Sequence, residues 1–246
     1  MRDPYVYEGT NVLINLANIK EQDKLDNYET TLSRIAIVEL LRNPIDITST
    51  KDIFEIHKRL FKEVYSWAGE PRTINIYKTE PVLGGLSVNY SEPKSIMKDL
   101  DRIQKDIDSF DWINSSKKEV LSKIVRVISS VWQVHAFREG NTRTICLYLY
   151  FFMKKYNLKL NVDFIGEHSK FFRNALVLAS IGEYSEYEHL EMILSDAISL
   201  KKVVGDETKY QTIKDYNLEK YEYNYHHLKE DWWRDVTKVC TIHREQ

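Results

Sequence analysis

The sequence predicts an all-α, mainly helical fold with one small β-hairpin set into it. Three observations carry this. All five prolines lie between Pro4 and Pro93, so the 153 residues after Pro93 are free of the strongest helix breaker. Apolar residues in that stretch recur at helical spacing. Only residues 72–90 change texture, to a polar/apolar alternation of period two.

Taken in order, the first 50 residues read as short helices with a polar opening, a segment 1–50 that packs on the core. Asp52 to Tyr65 reads as a helix with Ile53, Ile56, Leu60 and Val64 on one face. Trp67-Ala68-Gly69-Glu70-Pro71 ends it. Arg72 to Tyr77 and Leu86 to Tyr90 alternate, and Gly84-Gly85 supplies the turn, so 72–90 reads as a hairpin leaning on helices. Ser91-Glu92-Pro93 opens a helix to about Ser109. Lys117 to Val134 is amphipathic, with Leu121, Ile124, Val125, Ile128 and Trp132 on one stripe and His135 next in line. Asn141 to Tyr156 comes next, then helices over 167–180 and 185–203. Residues 51–203 thus form the core, and 204–246, rich in Tyr, His, Trp and charge, an extension of unassigned role.

Composition bounds the function. Thirty-five basic and 37 acidic side chains leave a net charge of -2, which gives no global attraction to nucleic acid or to an anionic membrane. Any anion site must be local. Cys146 and Cys240 suggest neither a disulfide framework nor a metal cluster. The opening residues lack the apolar core of a signal peptide, and the longest apolar run, Ile145 to Met153, is too short to span a bilayer. The expectation is a cytoplasmic protein, which leaves open delivery into another cell without a cleaved signal.

The chemistry concentrates in His135-Ala136-Phe137-Arg138-Glu139-Gly140-Asn141-Thr142-Arg143, the loop 135–143 between two helices. A helix N-terminus offers unpaired N–H groups and partial positive charge. The amides near Gly140, Asn141 and Thr142 can therefore cradle a phosphate, with Gly140 permitting close approach. Arg143 can add a charged fork, and Glu139 is a hard oxygen ligand suited to Mg²⁺ beside phosphates. His135 titrates near neutrality and can take a proton from a hydroxyl. Phe137 is an apolar pin to the core. Singly, each residue has an ordinary reading as cap, surface charge or core. Together they occupy nine consecutive positions in a layout fitted to phosphate chemistry.

This stretch resembles the signature of the Fic family, His-x-Phe-x-(Asp/Glu)-Gly-Asn-(Gly/Lys)-Arg-x-x-Arg, at His135, Phe137, Glu139, Gly140, Asn141 and Arg143. Leu60-Phe61, Val64-Tyr65, Trp67-Ala68-Gly69 and Arg72 resemble the segment leading into that family's flap. Two departures stand out: Thr142 replaces Gly or Lys, and Cys146 occupies the place of the second arginine. In the family that arginine grips the outer phosphates and pairs with an inhibitory glutamate. The inhibitory helix pattern is also missing from this sequence.

The resemblance implies a protein nucleotidyltransferase, or AMPylase. Its co-substrate would be ATP or another NTP, and Mg²⁺ would be held by Glu139. Arg138, Glu139, Gly140, Asn141, Thr142 and Arg143 would contact the nucleotide, and His135 would be the base. Ile74, Ile76, Tyr77 and Lys78 of the flap would bind the target, a protein bearing a Tyr, Thr or Ser hydroxyl. A small separate antitoxin is a further expected partner; nucleic acid and membrane are not. Two alternatives stay open: the same fold running phosphotransfer, suggested by Cys146, and a binding module that holds nucleotide and peptide without turnover.

Overall fold

The computed structural model describes residues 3–199; the expected extension 204–246 and Cys240 lie outside the described residues. Among the described residues eight α-helices carry the fold: α1 (Gln22–Arg42), α2 (Asp52–Phe61), α3 (Ile96–Asp108), α4 (Lys117–Val134), α5 (Asn141–Lys155), α6 (Val162–Glu167), α7 (Ser169–Leu178) and α8 (Glu188–Ser199). The principal packing pairs α1 with α2, α2 with α5, α3 with α4, and α4 with α5 and α8. Trp132, Tyr65, Phe61, Phe137, Phe152, Phe164 and Phe172 are among the fully buried side chains at the centre. Burying a large apolar side chain contributes about 1.5–3 kcal/mol, so these rings dominate the packing.

α4 begins where the sequence places it, because Ser116 and Glu119 form a reciprocal capping box. It ends at His135, which sits in the left-handed region at φ 49°. α5 starts at Asn141, within the 135–143 stretch, with Gly140 as its N-cap at φ 79°. The helix expected over 167–180 forms as α7, and the short α6 before it, across His168, was not expected. α8 begins at Glu188, three residues later than expected.

Two expectations need correction. The first 50 residues do not hold short helices: an irregular opening, with one isolated bridge between Val6 and Leu13, precedes the single 21-residue helix α1. Its buried stripe is Leu25, Glu29, Ser33, Ile37 and Leu40, so two polar residues blur the apolar pattern. The hairpin over 72–90 is likewise not formed as strands. The chain does run out and back, with Glu80 N–H donating to the Leu86 carbonyl at 3.0 Å. But Pro81 opens a 3-10 turn over Pro81–Leu83. At the next rung Lys78 N–H donates to the Ser87 hydroxyl, not to a backbone carbonyl. A side chain in the ladder position stops the ladder. The alternation itself survives: Ile74, Ile76 and Lys78 are half-buried, while Thr73, Asn75, Tyr77 and Thr79 are exposed.

Candidate active site

The loop 135–143 is held from three sides. Arg72, at the base of the flap, donates its backbone N–H to the Ala136 carbonyl and its Nε–H to the His135 carbonyl, both at 2.8 Å. The rest of its guanidinium reaches the carbonyls of Ile74 and Ser91, the two ends of the flap. One buried side chain thus ties both flap ends to the head of the loop.

From α2, His57 bridges the loop to the turn after the helix. Gly69 N–H donates to Nδ1 at 2.8 Å, so the neutral ring carries its proton on Nε2, which donates to the Glu139 carbonyl at 3.1 Å. Burial lowers the His57 pKa to about 3, which keeps the ring neutral, and the two bonds fix its tautomer. Its ring stacks on Phe137 at 3.8 Å, so Phe137 lies buried against the core.

From α1, Glu29 accepts from Arg143 Nη2 at 2.5 Å and from the Tyr65 hydroxyl, and Ser33 Oγ accepts from Arg143 Nη1 at 3.1 Å. Arg143 also lies over the Phe61 ring at 4.7 Å. Burial disfavours its charge, yet the Glu29 and Glu139 carboxylates outweigh that and raise its pKa. Its guanidinium is therefore committed to α1 in this conformation.

The remaining loop residues are equally engaged. The Asn141 side chain accepts from Phe137 N–H at 3.0 Å and donates to the Phe137 carbonyl at 2.7 Å, closing the loop on itself. Thr142 Oγ1 accepts from the Trp132 indole at 3.2 Å. Arg138 forks onto Asp3 at 2.9 and 3.0 Å. Glu139 accepts from Gly140 N–H at 3.0 Å and lies 3.7 Å from Lys78 Nζ. Gly140 has a reason beyond its positive φ: a Cβ there would meet Phe61 at 2.4 Å. As the N-cap of α5 it offers no side-chain cap to the first-turn amides, which leaves those N–H groups for a ligand.

His135 is the exception in this bonded loop. Its ring is 2% exposed, and neither Nδ1 nor Nε2 has a hydrogen-bond partner. Tyr90 stacks on its face at 4.0 Å and Trp132 meets it edge-on at 5.3 Å. Burial first, then the Lys78 charge, holds its pKa well below the ordinary histidine range; Arg72 adds to this and Glu139 opposes it. The expectation of titration near neutrality is thereby corrected: the imidazole stays neutral, which is the form a general base needs.

Sequence reading located the loop but missed what supports it. Glu29 and His57 are polar residues on otherwise apolar helix stripes, a detectable signal. Arg72 stands in the sequence as part of the lead-in motif and as the first residue of the alternation, and nothing local marks its four backbone contacts. Among the described residues no group of three or more His, Cys, Asp or Glu could hold a metal ion. A lone carboxylate such as Glu139 suits Mg²⁺ only where substrate phosphates complete its coordination.

A helical core, a glycine-started helix and an unpartnered imidazole at the head of the loop define a helical domain with a candidate phosphate-binding loop. The Fic/DOC family model matches residues 47–153. The chain is 30% identical over 152 residues to the "Probable protein adenylyltransferase y4lH" of Sinorhizobium fredii, spanning 61% of this chain and 74% of that protein. It is 26% identical over 142 residues to the "Probable protein adenylyltransferase Fic" of Escherichia coli, spanning 57% of this chain and 66% of the relative. The chain belongs to the Fic/DOC family. In fold it is similar to the BepC effector protein of Bartonella tribocorum, solved with bound AMPPNP, at a TM-score of 0.65 and 19% identity over 80% of this chain and 97% of that one.

Proposed function

We propose that this chain is a protein adenylyltransferase, transferring AMP from ATP to a Tyr, Thr or Ser hydroxyl of a target protein and releasing diphosphate. The observation that carries this reading is His135, whose two ring nitrogens are buried and bond nothing while every other loop side chain from Phe137 to Arg143 is packed or bonded. A buried unpaired polar group costs about 1–3 kcal/mol, a burden that makes sense where a substrate group supplies the missing partner. The y4lH relative carries the name adenylyltransferase, and BepC is a nucleotide-bound neighbour.

In this reading the target oxygen attacks the α-phosphorus, the bond to the bridging oxygen of the diphosphate breaks, and His135 takes the hydroxyl proton. The first-turn amides of α5 bind phosphate oxygens, and Lys78 faces the same ligand beside Glu139. Glu139 would hold Mg²⁺, which when bound neutralises phosphate charge. Asn141, Arg143 and Thr142 act by holding the loop in shape rather than by gripping phosphate. The half-buried and exposed flap residues Ile74, Ile76, Tyr77 and Lys78 present backbone to an extended target segment. Because His135 is enclosed, a target hydroxyl reaches it only when side chains around the ring shift. No helix among the described residues is long and apolar enough to cross a membrane; a cytoplasmic site of action and a small antitoxin partner belong to the same proposal.

One observation favours a second reading. Cys146 is a buried side chain in the position of the family's second arginine, so no cation is supplied from there. A nucleotide bound in another register would make the enzyme a phosphotransferase. Incubating the protein with lysate and either α-³²P-ATP or γ-³²P-ATP separates the two. Label on a target from the α arm only supports AMP transfer; label from the γ arm only replaces it with phosphotransfer; label from neither rejects catalysis.

A further inference from the structure

Resting on the assignment of His135 as the base, we propose that Glu80, Arg173 and Tyr90 are positioning residues that set the orientation of the His135 ring. Since neither ring nitrogen bonds to anything, no polar contact fixes that ring. Its orientation is held by packing alone, chiefly by the Tyr90 face at 4.0 Å and an interplanar angle of 26°, with the Trp132 edge on another side. What fixes Tyr90 therefore fixes the base.

Tyr90 is itself anchored. Its ring meets Trp132 edge-on at 5.9 Å, and its hydroxyl donates to Glu80 Oε1 at 3.5 Å, a long bond. Burial first, then the Glu80 carboxylate, keeps the phenol protonated and so a donor. Glu80 is fully buried and accepts both arms of the Arg173 guanidinium from α7, at 2.8 and 3.0 Å. Its backbone also organises the flap turn: the Glu80 carbonyl accepts from Leu83 and Gly85 N–H, and its own N–H donates to Leu86. The flap is thus locked to α7 at its tip and to the loop at its base by Arg72, and Tyr90 rides between the two anchors.

A buried ion pair is a poor source of net stability, because desolvation consumes most of the Coulomb gain. A bidentate arginine fork is, however, geometrically strict. That combination suits a part whose purpose is placement. Misplacing a reacting group by about 1 Å can cost on the order of 10²-fold in rate, so the distance from α7 to the base does not make Arg173 irrelevant.

The test uses the full chain and four variants. Tyr90→Leu removes the stack, Tyr90→Phe removes only the hydroxyl, Arg173→Met removes the fork, and Arg173→Lys keeps a cation. AMP transfer at saturating and limiting ATP gives kcat and KM separately. The expected result is a kcat loss of about 10- to 100-fold in Tyr90→Leu with KM for ATP within about threefold, smaller losses of similar size in Tyr90→Phe and Arg173→Met, which both cut the hydroxyl link, and only partial recovery in Arg173→Lys, which keeps the charge but not the fork. Ring ¹H–¹³C spectra give a readout that needs no turnover: ring-current-shifted His135 resonances from the fixed stack in the parent, moved toward averaged values in Tyr90→Leu and in Arg173→Met. Tyr90→Leu leaves the ion pair intact and keeps the test available if Arg173→Met does not fold. Parent-like kcat and an unchanged His135 signal in folded Tyr90→Leu would overturn the proposal, as would parent-like kcat in both Tyr90→Phe and Arg173→Met. A parent protein without transferase activity but with the expected spectra would reject the catalytic reading and keep the positioning one.

Discussion

Arg72 donates its Nε–H to the carbonyl of His135 at 2.8 Å, so the residue at the base of the flap holds the backbone of the candidate base. Its other side-chain bonds, to Ile74 and Ser91, make the flap and the loop one mechanical unit.

Arg72→Met is therefore expected to leave three carbonyls without their donor, that of His135 buried and those of Ile74 and Ser91 partly so. At about 1–3 kcal/mol for a buried unsatisfied group and less where water can reach, the loss is about 2–3 kcal/mol. The shift in urea midpoint at constant slope measures it. A shift below about 0.5 kcal/mol, the range of ordinary surface substitutions, would show that the guanidinium is not holding the loop.

Gly140→Ala should destabilise for two separable reasons, a positive φ and a Cβ 2.4 Å from Phe61. Overpacking typically costs about 1–3 kcal/mol, and the strained backbone about 1 kcal/mol more. Adding Phe61→Leu should relieve the overpacking part only. Thermal melts of the single and double variants check this, and a double variant less stable than Gly140→Ala by the full Phe61→Leu cost would remove the steric account.

The Glu29–Arg143 pair predicts strong coupling between α1 and the loop. Removing one partner of a buried pair costs about 3–5 kcal/mol, so Glu29→Gln and Arg143→Met should each be severe. The double variant should be far less severe than their sum, which a double-mutant cycle by urea denaturation measures. Additive losses would mean the two side chains do not share an environment in solution.

Stability should fall with acid before carboxylates begin to titrate. Burial lowers the His57 pKa to about 3 and that of His135 well below its ordinary value. Unfolding returns both to about 6.5. Above that pH both rings are neutral in either state, and pH has no effect through them. Below it the unfolded chain binds protons the folded chain does not, at about 1.4 kcal/mol per pH unit for each ring. Unfolding free energies between pH 7.5 and 5 should decline accordingly, with a shallower decline in His57→Gln. The acid limb of kcat/KM for transfer should likewise lie below pH 6.5.

Much of this was legible in the sequence where local chemistry acts alone. The start of α4 follows from a Ser116–Glu119 capping box, and the loop from nine contiguous residues of one chemical purpose. Where the structure departs, non-local partners decide. The α1 stripe is interrupted by Glu29 and Ser33 because they serve Arg143, more than 100 residues away. The alternation of 72–90 is real, yet Ser87 and Pro81 prevent a ladder, and side-chain anchors at Arg72 and Glu80 replace it. The neutrality of His135 comes from burial and from Lys78, neither of which a sequence displays.

The most direct measurement is AMP transfer by His135→Ala beside the parent, using α-³²P-ATP and a thermal melt of each protein. The ring makes no hydrogen bond, so its removal breaks none and the variant should stay folded. Transfer should fall by about 10²- to 10⁴-fold, the usual worth of a general base. A folded variant that labels its target at the parent rate would contradict the assignment of His135 and, with it, the account of the site.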